Sequence, residues 1–135
     1  MKRKEQKTRM QSVKRAVAMA IHAARETRAM AEVMMAEGGG GSGAVARFAG
    51  LMPFTRFVPV GAARREAIGA AAEEAGRGGM LVVDGAERLD CREADELRRA
   101  YEDTGCGVVL LVRGAWPDSP CLTQLKRRVL VRVAV

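Results

Sequence analysis

Eight consecutive residues, Gly38-Gly39-Gly40-Gly41-Ser42-Gly43-Ala44-Val45, hold the strongest chemical suggestion in the chain. A glycine-rich turn that opens a helix exposes backbone N–H groups, and the helix N-terminus adds partial positive charge. Together they attract phosphate. The run fits the pattern G-x-x-x-x-G-K-[ST] at both glycines, Gly38 and Gly43, and departs from it at the last two positions. Ala44 stands where a lysine would reach the β- and γ-phosphates, and Val45 stands where a hydroxyl would ligate Mg²⁺. A flexible linker has the same composition. What favours a phosphate cradle is the position of the run, between an apolar strand and a helix.

The second candidate is Asp84, which ends the apolar run Met80-Leu81-Val82-Val83. Open α/β sheets place their ligand sites at the carboxyl ends of strands, so a carboxylate there could hold Mg²⁺ through water. The position after it, which a water-activating glutamate would take, is Gly85, and the nearest acid is Glu87. Taken alone, Asp84 is equally a turn residue at a strand end.

These residues need elements to position them. Glu5 to Met30 contains no Gly or Pro, and Met10, Val13, Val17 and Ile21 recur at helical spacing, which predicts one long helix with His22 facing solvent or a neighbouring helix. The apolar run Ala31–Ala36 predicts a strand over 31–37, and a helix starts near Gly43 and ends before Pro53. Thr55–Val60 reads as a strand that Pro59 confines to a sheet edge. Ala62–Ala75 reads as a helix. The runs at 80–85 and 107–113 read as strands buried on both faces. Between them Asp90 and Glu93 form a capping box for a helix carrying Ala94, Leu97 and Tyr101, with Gly105 as its C-terminal cap. Ser119-Pro120 opens a short helix, and 129–135 is a last strand whose Arg132 suits an edge. Alternating strands and helices predict a five-stranded parallel sheet between two helical layers.

The 135 residues suffice for one folded core, and 48% hydrophobic content with 4% aromatics predicts a core of Val, Leu, Met and Ala. No apolar stretch approaches the roughly 20 residues of a membrane span, and the basic N-terminus has no apolar segment behind it that would suit a secretory signal. Cys91, Cys106 and Cys121 form no C-x-x-C pair and, with the one His22, give no metal-ligand spacing. They are read as reduced thiols of a cytoplasmic protein. Residues 1–28 hold nine Lys/Arg against Glu5 and Glu26, which accounts for the whole net charge of +7. The basicity therefore belongs to an appendage, a helix over 1–29 preceding a core over 30–135. Lys2, Arg3, Lys4, Lys7, Arg9, Lys14 and Arg15 make it a candidate DNA-binding segment, or equally a solvated tail.

The stretch LVVDGAERLDCREADELRRAYEDTGCGVVLLVRG, preceded by RAMAEVMMAEGGGGSGAVARFAG, resembles the AAA+ ATPases of DNA transposition, the phage Mu B and TniB type, close to the ExeA-like ATPases. The resemblance rests on Asp84, Ala86, Leu89, Leu97, Arg98, Tyr101, Thr104 and Gly105, and on the tail LTQLKRRVLVRVAV. It spans about residues 28 to 135. It implies a three-layer αβα sandwich of P-loop NTPase type, with strand order 5-1-4-3-2; as a departure from the family, no C-terminal lid is expected after Val135. ATP and Mg²⁺ are the implied cofactors, held by Gly38 to Val45 and by Asp84. The implied partners are DNA, a transposase or similar protein, and further copies of the chain. Asp84 and Glu87 take catalytic positions, and one of Lys126, Arg127 or Arg128 becomes the arginine finger; the same trio also reads as a basic helix end favoured by the dipole.

The departures bear on activity. Ala44, Val45 and Gly85 remove the phosphate lysine, the metal hydroxyl and the catalytic glutamate, and Arg113-Gly114 stands where a small polar sensor is expected. Doing without a charge-assisted hydrogen bond costs roughly 1.5–3 kcal/mol, and a missing water-activating group slows hydrolysis by roughly 10²–10⁴-fold. The expected function is ATP binding with weak or no hydrolysis. The alternative is a non-catalytic DNA-binding and interaction protein.

Overall fold

A computed structural model describes residues 2–35, 42–59 and 64–134; within helices, the side chains of residues 2–11, 42–44 and 64 lie outside the description. Helix α1 (Lys2–Thr27) leads into β1 (Met30–Met35), and α2 (Ser42–Gly50) into β2 (Thr55–Val58). Then come α3 (Arg64–Ala75), β3 (Met80–Asp84), a 3-10 turn (Ala86–Arg88), α4 (Cys91–Thr104), β4 (Gly107–Arg113), α5 (Pro120–Lys126) and β5 (Val129–Ala134). The five strands are all parallel in the order β2-β3-β4-β1-β5, the order that the family resemblance implies. The strands carrying Pro59's neighbour Val58 and Arg132 are the two edges.

Two apolar clusters lie on opposite faces of the sheet. Ala16, Val17, Ala20, Ile21 and Ala24 of α1 and Val45 and Ala49 of α2 pack on Met80, Val82, Val109 and Leu111. On the other face Ile68 and Ala72 of α3, Ala94 and Leu97 of α4, and Leu122 and Leu125 of α5 cover Leu81, Val83, Val108 and Leu110. The second half of α1 is thus a layer of the fold, where the sequence suggested an appendage. Its alanines bring the helix close to the sheet, and Gly107 completes the fit. A Cβ there would stand 3.3 Å from the Ala24 carbonyl and 2.6 Å from Met80 Cε. His22 is exposed.

Local signals specify several boundaries. The Asp90 side chain accepts from the Glu93 N–H at 2.8 Å, the Glu93 side chain accepts from the Asp90 N–H at 2.9 Å, and Gly105 closes α4 in the left-handed region. Ser119 precedes α5 as expected, yet its side chain makes no capping hydrogen bond, so the proline alone marks that start. Helix α1 stops before Met30 because Arg28 turns to φ 54°, and the Tyr101 hydroxyl donates to the Arg28 carbonyl at 2.8 Å, holding that turn against α4.

The cysteine expectation is corrected. Cys91 and Cys121 form a disulfide with Cα atoms 5.3 Å apart, because the first residue of α4 and the second of α5 meet above the sheet. Only Cys106 is free; it is buried, and burial pushes its thiol above the ordinary range, partly offset by a hydrogen bond with Thr104.

Candidate functional site

Parallel strands align their carboxyl ends, and the register sets what meets there. Asp84 stands beside Leu111, and Arg113 beside Met35 at the end of β1. Side chains alternate across a strand. Asp84 therefore continues the Met80, Val82 face and Arg113 the Val109, Leu111 face, both on the side covered by α1 and α2.

The Asp84 side chain is fully buried, and its Oδ1 faces Arg113 Nη2 at 3.5 Å; the arginine side chain is 17% exposed. Glu87, carried on the 3-10 turn, accepts from the Arg113 backbone N–H through Oε1 at 3.2 Å. Two acids from β3 and its following turn converge on one arginine at the end of β4. Asp84 Oδ2 and Glu87 Oε2 are buried with no hydrogen-bond partner among the described residues. Gly85 sits at φ 70°, ψ 40° and donates to the Leu111 carbonyl at 3.0 Å. That left-handed conformation is what turns the chain from β3 into the 3-10 turn, and a glutamate there would be strained.

The arrangement does not suit Mg²⁺. A hard dication takes one or two carboxylates, hydroxyls, waters and phosphates at near-octahedral geometry. Here the carboxylate already has a guanidinium as its counter-charge. The residue in the hydroxyl position, Val45, is 1% exposed and packed in the core. The Glu87 carboxylate is engaged with the end of β4, away from the role of an exposed base.

The other expected site residues are dispersed. Gly38, Gly39, Gly40 and Gly41 lie outside the described residues; Ser42, Gly43 and Ala44 fall in the first turn of α2. Lys2, Arg3, Lys4, Lys7 and Arg9 lie in α1, with side chains outside the description, and Lys14 and Arg15 are exposed. Arg127 and Arg128 follow α5 at the amino-terminal edge of the sheet, where Val129 pairs with Met30. They are thus at the opposite edge from Asp84. Arg128 is tied within the chain, to Glu102 at 3.2 Å and to the Gln124 carbonyl at 2.8 Å, whereas Arg127 is exposed.

A second buried carboxylate escaped sequence reasoning. Glu32, 1% exposed in the middle of β1, accepts from Trp116 Nε1 at 2.7 Å through Oε1, and its Oε2 lies 3.2 Å from Arg132 Nε on the adjacent strand. One signal was available, a lone acid inside the otherwise apolar run Met30–Ala36. Trp116 also borders a shallow groove of about 240 Å³ with Pro117, Asp118, Leu122, Thr123 and Lys126, on the α5 side and apart from Asp84. Replacing Trp116 with phenylalanine strips Oε1 of its donor. The expected cost is about 1–3 kcal/mol, read from the shift in urea midpoint at unchanged slope. A null effect would mean that water replaces the indole.

Among the described residues no group of three His, Cys, Asp or Glu is placed to hold a metal, and no helix is long and apolar enough to cross a membrane. No family model and no curated protein matches the chain. Among solved structures, a variant of RuvB from Thermotoga maritima is similar over 93% of this chain, with a TM-score of 0.56 and 20% sequence identity. The chain spans 44% of the length of that one. With the strand order and the helices on both faces, this likeness shows a three-layer α/β fold with a five-stranded parallel sheet.

Proposed function

We propose that the chain is a nucleotide-binding module of AAA+ type that holds ATP through backbone amides of the glycine-rich run Gly38–Gly43 and hydrolyses it slowly or not at all. The observation that carries this reading is the Asp84–Arg113 ion pair. The carboxylate that a hydrolytic site would turn toward a metal is instead neutralised inside the chain, while phosphate binding by backbone amides needs no side chain. By its resemblance to the transposition ATPases of the Mu B and TniB type, the module acts in a DNA transaction, as one copy of a homo-oligomer alongside a transposase-like partner. Arg127, exposed at the far sheet edge, is the better placed of the two arginines to reach a neighbour.

Calorimetric titration with ATP tests this, with a thermal melt alongside. The unmodified chain is expected to bind and to melt at a higher temperature. An Ala44→Lys variant is expected to bind roughly tenfold to hundredfold more tightly, because one charge-assisted hydrogen bond is restored. Val45 is left alone in this test, since a threonine there would bury a hydroxyl in the core.

A second reading, a DNA-binding scaffold without nucleotide, is favoured by the exposure of Lys14 and Arg15 on α1. If ATP does not bind and DNA does, replacing both with alanine should make DNA affinity less dependent on salt, by about one released counterion for each phosphate the two side chains had neutralised.

A further inference from the structure

We infer that Arg113 is the resident cation of the Asp84 carboxylate, so that this end of the sheet excludes divalent metal and any nucleotide held there is held as the metal-free anion. The nucleotide half of this inference rests on the function proposed above; the metal half stands without it.

A fully buried carboxylate needs a counter-charge, and in a nucleotide site of this layout a hydrated divalent ion supplies it. In this chain the charge comes from β4. The β3–β4 register puts Asp84 and Arg113 on one face, one strand apart, and Oδ1 faces Nη2 at 3.5 Å. Glu87 holds the Arg113 backbone N–H at 3.2 Å, which keeps the residue at the strand end. A dication brought to the same carboxylate would meet the guanidinium at close range in a poorly screened place, and like charges there repel strongly. The buried Val45 offers it no oxygen. The same geometry says what happens when the guanidinium is removed. Asp84 Oδ2 and Glu87 Oε2 are already buried with no hydrogen-bond partner among the described residues, and without the guanidinium the Asp84 carboxylate is left to draw a hard cation.

Two measurements on the full chain test this. In the first, Mn²⁺ is titrated against nucleotide-free protein and followed by electron paramagnetic resonance. The unmodified chain is expected to leave the free Mn²⁺ signal unchanged, and Arg113→Gln is expected to gain one site at least about tenfold tighter than any in the parent. Mn²⁺ bound by the parent and lost in Asp84→Asn overturns the inference, as does a folded Arg113→Gln chain that gains no site. Should Arg113→Gln fail to fold, the parent and Asp84→Asn decide alone. In the second, ADP is titrated in EDTA and in Mg²⁺. Affinities equal within about threefold support the inference, and an affinity at least tenfold higher in Mg²⁺ overturns it. If ADP binds in neither buffer, the proposed nucleotide function fails, and the Mn²⁺ titration still decides the metal half.

Discussion

Replacing Arg113 with methionine is expected to destabilise the protein by about 3–5 kcal/mol, because it leaves a fully buried carboxylate without its counter-charge. For a domain of this size that is a fall in melting temperature on the order of 10–15 °C. The cost comes from the stranded Asp84, not from the strength of the pair, whose 3.5 Å separation is long for a charge-assisted hydrogen bond. The double variant Asp84→Asn, Arg113→Met should therefore recover most of the stability, since an amide costs far less to bury than a carboxylate. Urea unfolding of the two single variants and the double variant gives the coupling directly. Additive effects in that cycle would show that water, not Arg113, compensates Asp84. Recovery would explain why β3 can end in an acid within the core when no metal is required to neutralise it.

Reduction of Cys91–Cys121 is expected to lower stability by roughly 3–4 kcal/mol, from the loop entropy that a cross-link across 30 residues removes from the unfolded chain. The bond joins the first turn of α4 to α5, a helix of seven residues whose own hydrogen bonds contribute little and whose packing depends on Leu122 and Leu125. A Cys91→Ser variant and the parent in reductant should shift the urea midpoint alike, while reductant should leave the variant unchanged. Thiol counting checks the premise. The native chain should show almost no reactive thiol, because Cys106 is buried and its thiolate is disfavoured. The unfolded, unreduced chain should show one. Three in that state would mean that the disulfide does not form, and the predicted effect of reduction would go with it.

Much of this protein was legible along the chain. The apolar runs ending at Asp84 and Arg113, the capping box of Asp90 and Glu93, the cap at Gly105 and the edge strands marked by Pro59 and Arg132 are local patterns. A few neighbouring residues dictate them through backbone geometry, hydrogen bonding and side-chain periodicity. With a preference for right-handed crossovers, such patterns narrow the choice of sheet topology. Asp84 was visible for the same reason: it is an acid at the end of an apolar strand.

What tertiary structure decided were the partners. Arg113 read as a missing sensor until the β3–β4 register put it on the same face as Asp84, 29 positions away. Glu32 read as part of an apolar strand until Trp116, 84 residues on, donated to it. The periodicity of α1 announced an amphipathic helix without naming the surface it covers, and only the packed sheet shows that its alanines lie against Met80 and Val109. Cys91 and Cys121 meet because α4 and α5 start at the same end of the sheet, which no spacing between cysteines encodes. A side chain's own type and neighbours set the element it occupies. Whether its charge is solvated, paired or stranded depends on residues that come near it only when the strands align, and the chemistry of this site depends on that pairing.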